Sequence, residues 1–158
     1  CADGQYQSQQ ACEDNGEIWG LTVHKTGSHN IVGGMDNSYT QYGGLVVGEK
    51  NVINRAFSVV SGGRVNEASG GHSSVSGGIV NKANARFSSV SGGSNNTANG
   101  TYSSISSGGY NIADGDLSAV SGGYRNTANG YGSSIGGGKE KQADYDYEWV
   151  GGHYQSNE

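Results

Sequence analysis

Residues 132–136 match a catalytic pattern in this sequence. They read G-x-S-x-G, as in the nucleophile elbow of hydrolases, where a serine between a strand and a helix acts with a histidine. The segment is also one copy of a repeat, and the other copies lack the flanking glycines. We therefore expect no catalytic residue and no enzymatic activity.

Carboxylates near the end of the sequence are weak candidates for a calcium site. Asp144, Asp146 and Glu148 alternate along one predicted strand, and calcium prefers such oxygen ligands. The spacing does not match the nine-residue repeat of calcium-binding β-rolls. Asp144 also falls in a column otherwise filled mostly by turn-forming asparagine. Apart from this possible calcium site, the sequence indicates no cofactor.

The two cysteines suggest a disulfide, and the histidines do not indicate a zinc site. His24 and His29 lie close in sequence but have no cysteine or carboxylate partners at ligand spacing. Cys1 and Cys12 are the two cysteines, and we interpret them as a short-range disulfide formed in an oxidising compartment. A lipid-modified Cys1, or free or intermolecular thiols, are the alternatives.

The composition excludes several classes of protein. Glycine accounts for 30 of 158 residues, proline is absent, and hydrophobic residues make up 32%, too few for a conventional large core. The net charge is −5 and the basic residues are scattered, so we expect no nucleic-acid partner. No apolar run is long enough to span a membrane. The start at Cys1 fits a processed product, and we expect an extracellular or cell-surface location.

A fifteen-residue repeat organises most of the chain. The apolar column is Val60, Val75, Val90, Ile105, Val120, Ile135 and Val150. The asparagine column is Asn51, Asn66, Asn81, Asn96, Asn111 and Asn126. Alanine, glycine and serine columns keep the same period, and the phase extends back to residues 31–33, aligned with residues 46–48. About eight coils are therefore predicted over residues 31–153.

The repeat predicts an all-β fold, a parallel β-solenoid. Apolar and small residues alternate in two short stretches per unit, separated by glycine-containing bends. Coils stacked about 4.8 Å apart give a rod of about 40 Å for eight coils. Valine, alanine and serine point inward, and the asparagines stack as an amide ladder between coils. Gly-Gly, Asn-Gly and Asp-Gly pairs are expected to supply the positive φ angles of the bends.

Such a thin interior favours association of several rods. Each coil buries about one valine and one alanine, which offsets little of the backbone entropy lost on folding. We predict inter-chain packing by a column on a strand face and by Trp149 in the neighbouring column. The candidates in the first column are Phe57, Phe87, Tyr102, Leu117 and Tyr147. Three rods around one axis is the favoured arrangement.

The two ends of the sequence differ from the repeats. Residues 1–30 lack the period, and residues 154–158 form a short polar tail. Solenoid ends need to be blunted, because exposed edges polymerise. Both ends are interpreted either as caps or as joints for head-to-tail stacking. In the second case Trp19, Trp149 and Tyr154 are the candidate end-to-end contacts.

The repeat units resemble a known family. Residues 73–78 (SSVSGG) and 96–100 (NTANG) are similar to the head repeats of trimeric autotransporter adhesins of the YadA or Hep/Hag type. The resemblance implies a left-handed parallel β-roll, a homotrimer and binding to matrix or host glycoproteins. This sequence departs from the family in its fifteen-residue period and its S-V-S-G-G strand motif. It also lacks the family's neck, stalk and membrane anchor.

These observations predict a structural function. We expect an extracellular structural and adhesive rod that forms a trimer and can polymerise end to end into a surface fibre. The alternative is a carbohydrate-binding module that uses a regular solenoid face, with polysaccharide or glycoprotein as partner. Ice binding is less favoured, because only Thr97 and Thr127 share a threonine column.

Overall fold

The computed structural model describes residues 29–151, and within that range the fold is a parallel β-solenoid of about eight coils. Every strand pairs in parallel with the strand one coil away. The described residues contain strands, turns and bends but no helix. The predicted fold class, with coils of about fifteen residues, is confirmed.

Each coil contributes one strand to each of two sheets. The nine-stranded sheet contains β1 (Ile31–Met35), β3 (Leu45–Glu49), β5 (Val59–Val60), β7 (Ser74–Val75), β9 (Ser89–Val90), β11 (Ser104–Ile105), β13 (Ala119–Val120), β15 (Ser134–Ile135) and β17 (Trp149–Val150). The eight-stranded sheet contains β2 (Ser38–Tyr39), β4 (Val52–Ile53), β6 (Glu67–Ala68), β8 (Lys82–Ala83), β10 (Thr97–Ala98), β12 (Ile112–Ala113), β14 (Thr127–Ala128) and β16 (Gln142–Ala143). A line of single bridges from Glu49 to Lys139 joins the coils between the sheets.

The interior is filled by one small set of side chains that recurs in every coil. From β3 to β15 the valine or isoleucine of the nine-stranded sheet is almost completely buried, as is the alanine of the eight-stranded sheet from β6 to β16, whereas Val32 and Val150 at the two ends are partly buried. In the first coils the alanine position is taken by Tyr39 and Ile53, also buried. Successive side chains of a strand point to opposite faces, so in each two-residue strand one side chain points into the interior and the other points outward. This is the alternation that the sequence predicts.

The repeat is not fifteen residues long throughout, which corrects the predicted alignment of residues 31–33 with residues 46–48. Ile31 pairs with Leu45, and Leu45 pairs with Val59, so each of these steps is fourteen residues. In this part β1 and β3 run for five residues without interruption. The fifteenth residue enters in the bend that follows β5, because Val46 pairs with Val60 but Glu49 pairs with Arg64.

The sequence predicts that the aromatic column lies on a strand face. In the structure this column lies in the turns that precede the strands. Phe57, Phe87 and Tyr102 have φ angles of 59°, 59° and 60°, and each precedes a buried serine that leads into a strand. In the described Asn-Gly and Asp-Gly pairs the glycines, Gly100, Gly115 and Gly130, do not have positive φ, contrary to expectation. In each of these turns the residue with a positive φ lies two positions after the glycine, in the aromatic column, as Tyr102 does after Gly100. In the Gly-Gly pairs that follow β5, β7, β9 and β13, the second glycine has a positive φ, as Gly63 does at 80°.

Buried serine hydroxyls offer a matched test of the interior. Ser88 Oγ donates a hydrogen bond to the carbonyl of Ala85 at 2.7 Å, whereas the hydroxyl of Ser103 is buried without a hydrogen-bond partner. We expect Ser103→Ala to raise the free energy of unfolding by about 1 kcal/mol, because a buried unpaired hydroxyl is removed. Ser88→Ala is expected to lower it by about 1 kcal/mol. Urea denaturation measures both, and equal effects of the same sign would contradict the assignment.

Candidate functional site

Asparagine side chains connect every coil to the next. The amides of the predicted column are fully buried, and the carbonyl oxygen of each accepts the backbone N–H of the residue one coil later. For Asn96 this bond to the N–H of Asn111 is 3.0 Å long. The Nδ2 group of Asn96 donates to the carbonyls of Gly92 and Gly108, both at 3.0 Å. Each amide therefore holds its own bend and the following coil at once.

The rungs of this ladder join side chain to backbone. Amide-to-amide stacking was the expectation from the sequence, but in the structure both the donor and the acceptor of each amide bond main-chain groups. The ladder also begins one coil earlier than predicted, since Asn37 Oδ1 accepts the N–H of Asn51 at 2.9 Å. Asn37 was missed because it lies fourteen residues before Asn51. At the other end Lys141 takes the asparagine position.

From β7 to β15 the outer face of the nine-stranded sheet carries small uncharged residues, and we call this part the serine face; Leu45, Val59 and Trp149 occupy the same column at the two ends. One of its columns is Ser74, Ser89, Ser104, Ala119 and Ser134, and the other is Ser76, Ser91, Ser106 and Ser121. The first column is half-buried and the second is exposed. Charged residues instead occupy the eight-stranded sheet, as with Glu67 and Lys82, and the bridge line, as with Arg64.

A stack of rings, here called the aromatic ridge, runs along the turn beside the serine face. The ring centroids of Phe57 and His72 are 5.1 Å apart, those of His72 and Phe87 5.2 Å, and those of Phe87 and Tyr102 4.8 Å, all nearly parallel. Tyr42 meets Phe57 edge-on. Leu117 and Tyr147 continue the same column. Stacked and edge-to-face aromatic contacts stabilise a structure beyond simple burial.

Large apolar side chains of the aromatic ridge are nevertheless exposed. Phe57 is 47% exposed, Tyr102 57% and Leu117 48%. Because the rings of the stack lie face to face, the faces between them are covered by neighbouring rings, and mainly the ring edges meet solvent. This geometry suits packing against another protein surface better than stacking against a sugar ring, which needs an open ring face.

The three calcium candidates are each engaged with the protein itself. Asp144 Oδ1 accepts a hydrogen bond from Asn129 Nδ2 at 2.6 Å, and Asp146 Oδ1 accepts the N–H of Tyr131 at 3.0 Å. Glu148 Oε2 accepts two backbone N–H groups of its own coil. Among residues 29–151 no three metal-ligating side chains converge on one point. The geometry gives the calcium candidates no support.

The G-x-S-x-G segment is an ordinary part of the solenoid. Ser133 is buried, Ser134 lies in β15, and the next residues form a bend rather than the helix that a nucleophile elbow requires. His29 is exposed at the first coil, and His72 lies in the aromatic ridge. The catalytic context of the motif is therefore missing from the described part of the chain.

Several residues singled out from the sequence lie outside the described range. These are Cys1 and Cys12 with their expected disulfide, His24, and the end-to-end candidates Trp19 and Tyr154. Trp149, the remaining end-to-end candidate, is in β17 and is 71% exposed. Asn30, which the sequence places in the N-terminal segment, bonds Gln41 and Gly44 of the first coil.

A second, exposed ladder was not recognised in the sequence. Asn84 Nδ2 donates to Asn99 Oδ1 at 2.8 Å, and Asn99 Nδ2 donates to Asp114 Oδ1 at 2.6 Å. Asn129 and Asp144 repeat the pair two coils on. The signal in the sequence is the fifteen-residue recurrence of asparagine and aspartate in this column, which turn chemistry or, at Asp144, a calcium site explains equally well.

The fold defines the chain as a β-solenoid repeat protein. In comparisons with known proteins, no family model matches the sequence and no curated protein is significantly similar to it. In the part of the chain that the structure describes, no helix has the length and apolarity that crossing a membrane requires.

Proposed function

We propose that this protein is an extracellular structural rod of the adhesin type, which associates side by side with further copies of itself as a homotrimer. The single observation that carries the proposal is the uncharged serine face, bordered along one edge by the exposed aromatic ridge. Interface cores are depleted in charged residues and enriched in aromatic ones, and this surface has both properties.

The shape of the serine face favours a second copy as its occupant. Its side chains are short, so the backbones of two rods can approach closely between β7 and β15. The coil spacing of one rod equals that of another, so contacts made at one coil repeat at every coil. The exposed parts of the Phe57, Tyr102 and Leu117 side chains then fill the gap between neighbouring rods.

Adhesion and an extracellular location rest on the sequence. The fifteen-residue units resemble adhesin head repeats, and a disulfide between the two cysteines near the start would fit an oxidising compartment. A host or matrix glycoprotein is the partner that this proposal expects. Polysaccharide binding is a weaker alternative, because the ring faces inside the aromatic ridge are covered.

A bulky charge on the serine face tests the proposed interface. Ser104 lies in β11 with its side chain on the outer face, at mid-length of the rod. We expect Ser104→Arg to convert the trimer to single chains in sedimentation velocity, because a guanidinium group is forced into an uncharged contact. The aromatic ridge itself is untouched by this change.

The matched control places the same side chain on the other sheet. Thr127 occupies the outer face of β14, between Ile112 and Gln142 on the neighbouring strands. Thr127→Arg is expected to keep the mass of the wild type. A trimer that persists in Ser104→Arg, with circular dichroism unchanged, would remove the serine face from the proposal.

A further inference from the structure

The last described coil departs from the repeat at a position that faces away from the other described coils. In several interior coils, two consecutive backbone N–H groups share one carbonyl of the next coil. Asn129 and Gly130 donate to the carbonyl of Ala143 at 2.8 and 3.1 Å. The equivalent residues of the last described coil are Asp144 and Tyr145, and no further described coil supplies them with a carbonyl.

Glu148 supplies that acceptor from its side chain. Its Oε2 atom accepts the N–H of Asp144 at 2.7 Å and the N–H of Tyr145 at 3.1 Å. These distances match the pair of bonds that the carbonyl of Ala143 accepts one coil earlier. In the coils from Ser58 to Ser133 the same position is a buried serine, which is too short to reach back to these amides.

The asparagine ladder stops in the same coil. The backbone N–H of Lys141 donates to Asn126 Oδ1 at 2.9 Å, so Lys141 completes the last rung. Its side chain has no oxygen to accept an N–H from a following coil. A further coil stacked here would leave that N–H without the acceptor that every asparagine provides.

Charge adds a third obstacle to continued stacking. Lys141 and Glu148 place charges at positions that the interior coils fill with buried asparagine and serine, whereas Asp144 and Asp146 have counterparts in Asp114 and Asp116 of an interior coil. A further coil would bury the charges of Lys141 and Glu148, and charged side chains at a sheet edge are a recurrent means of preventing edge-to-edge pairing. The last described coil is therefore equipped against receiving another coil.

We infer that Glu148 is the C-terminal cap of the solenoid and that, together with Lys141, it prevents a coil of a second copy from stacking on this end. This inference concerns the end of the rod, and it stands independently of the side-by-side association proposed above. It also assigns one of the calcium candidates to a structural task. The sequence-based hypothesis of end-to-end joining through Trp149 is not compatible with it.

Amide hydrogen exchange resolved by NMR on the full chain tests the cap. We expect the amides of Asp144 and Tyr145 to be protected in the wild type and to exchange at least about tenfold faster in Glu148→Ser, which restores the repeat residue. Glu148→Gln keeps an acceptor oxygen and is expected to retain the protection. Asp146→Asn, which removes a neighbouring carboxylate, is the matched control and is expected to leave both amides unchanged.

The terminating role has its own test. The double variant Lys141→Asn, Glu148→Ser restores both repeat residues, and we expect rods joined end to end in negative-stain images, with the wild type showing single-length rods. Equal exchange of the two amides in wild type and Glu148→Ser would overturn the cap. Single-length rods in the folded double variant, or end-to-end fibres of the wild type, would overturn the terminating role. Both tests are independent of the proposed trimer, because neither amide exchange nor rod length depends on side-by-side association.

Discussion

Asn96→Ala is expected to lower the free energy of unfolding by about 3 kcal/mol. The side chain is fully buried and makes three hydrogen bonds to backbone groups, at 3.0 Å each. Alanine leaves the N–H of Asn111 and two carbonyls without that partner, and each lost bond costs about 1 kcal/mol. Urea denaturation followed by circular dichroism measures the change.

Asn84→Ala is the matched control for this prediction. Asn84 is also an asparagine in the repeat, but it is exposed and bonds only the side chain of Asn99 among the hydrogen bonds described for its amide. Exposed polar contacts contribute little, so we expect a loss below about 0.5 kcal/mol. Equal losses for the two variants would show that the buried ladder is not what holds the coils together.

Gly93→Ala is expected to destabilise the protein by about 3 kcal/mol or more. Gly93 has a φ of 86°, and a Cβ atom there would overlap the carbonyl oxygen of Gly108 in the next coil and lie 2.7 Å from Asn96 Nδ2. The methyl group therefore adds backbone strain and displaces two bonding partners of the ladder. Thermal unfolding of the variant beside the wild type measures this loss.

The preceding glycine provides an internal comparison. A Cβ atom added at Gly92 would meet no atom within 4 Å beyond its chain neighbours, and Gly92 does not have a positive φ. Gly92→Ala is expected to leave the stability unchanged or to raise it by up to about 1 kcal/mol, since alanine restricts the unfolded chain. If both alanine variants were equally unstable, the close approach of coils at the second glycine would not be the cause.

The interior of the solenoid could be predicted because its signal is a simple alternation. The columns that contain Val75 and Ala83 repeat every fifteen residues, with polar residues on either side. Each two-residue strand has only one inward position, so these columns must be the buried ones. The asparagine column was equally visible in the sequence, but the hydrogen-bond partners of its amides were not. An amide can bond another amide or a carbonyl, and the bend that brings the carbonyl of Gly92 to Asn96 is a property of the folded backbone.

Other features escaped because residue type does not report backbone conformation. An aromatic residue such as Phe57 is uncommon at positive φ, so nothing in the sequence placed it in a left-handed turn. The fourteen-residue coils were hidden because Val46 and Val47 are alike and fit either alignment. Glu148 looked like a calcium ligand because its role depends on two N–H groups that only the stacking of coils exposes.

Light scattering on the purified full chain tests the central claim, side-by-side self-association, most directly. We predict a mass of three times the 16.2 kDa of one chain, constant across micromolar concentrations. A mass of 16.2 kDa over that range would contradict the account, and the serine face and the aromatic ridge would then require another partner.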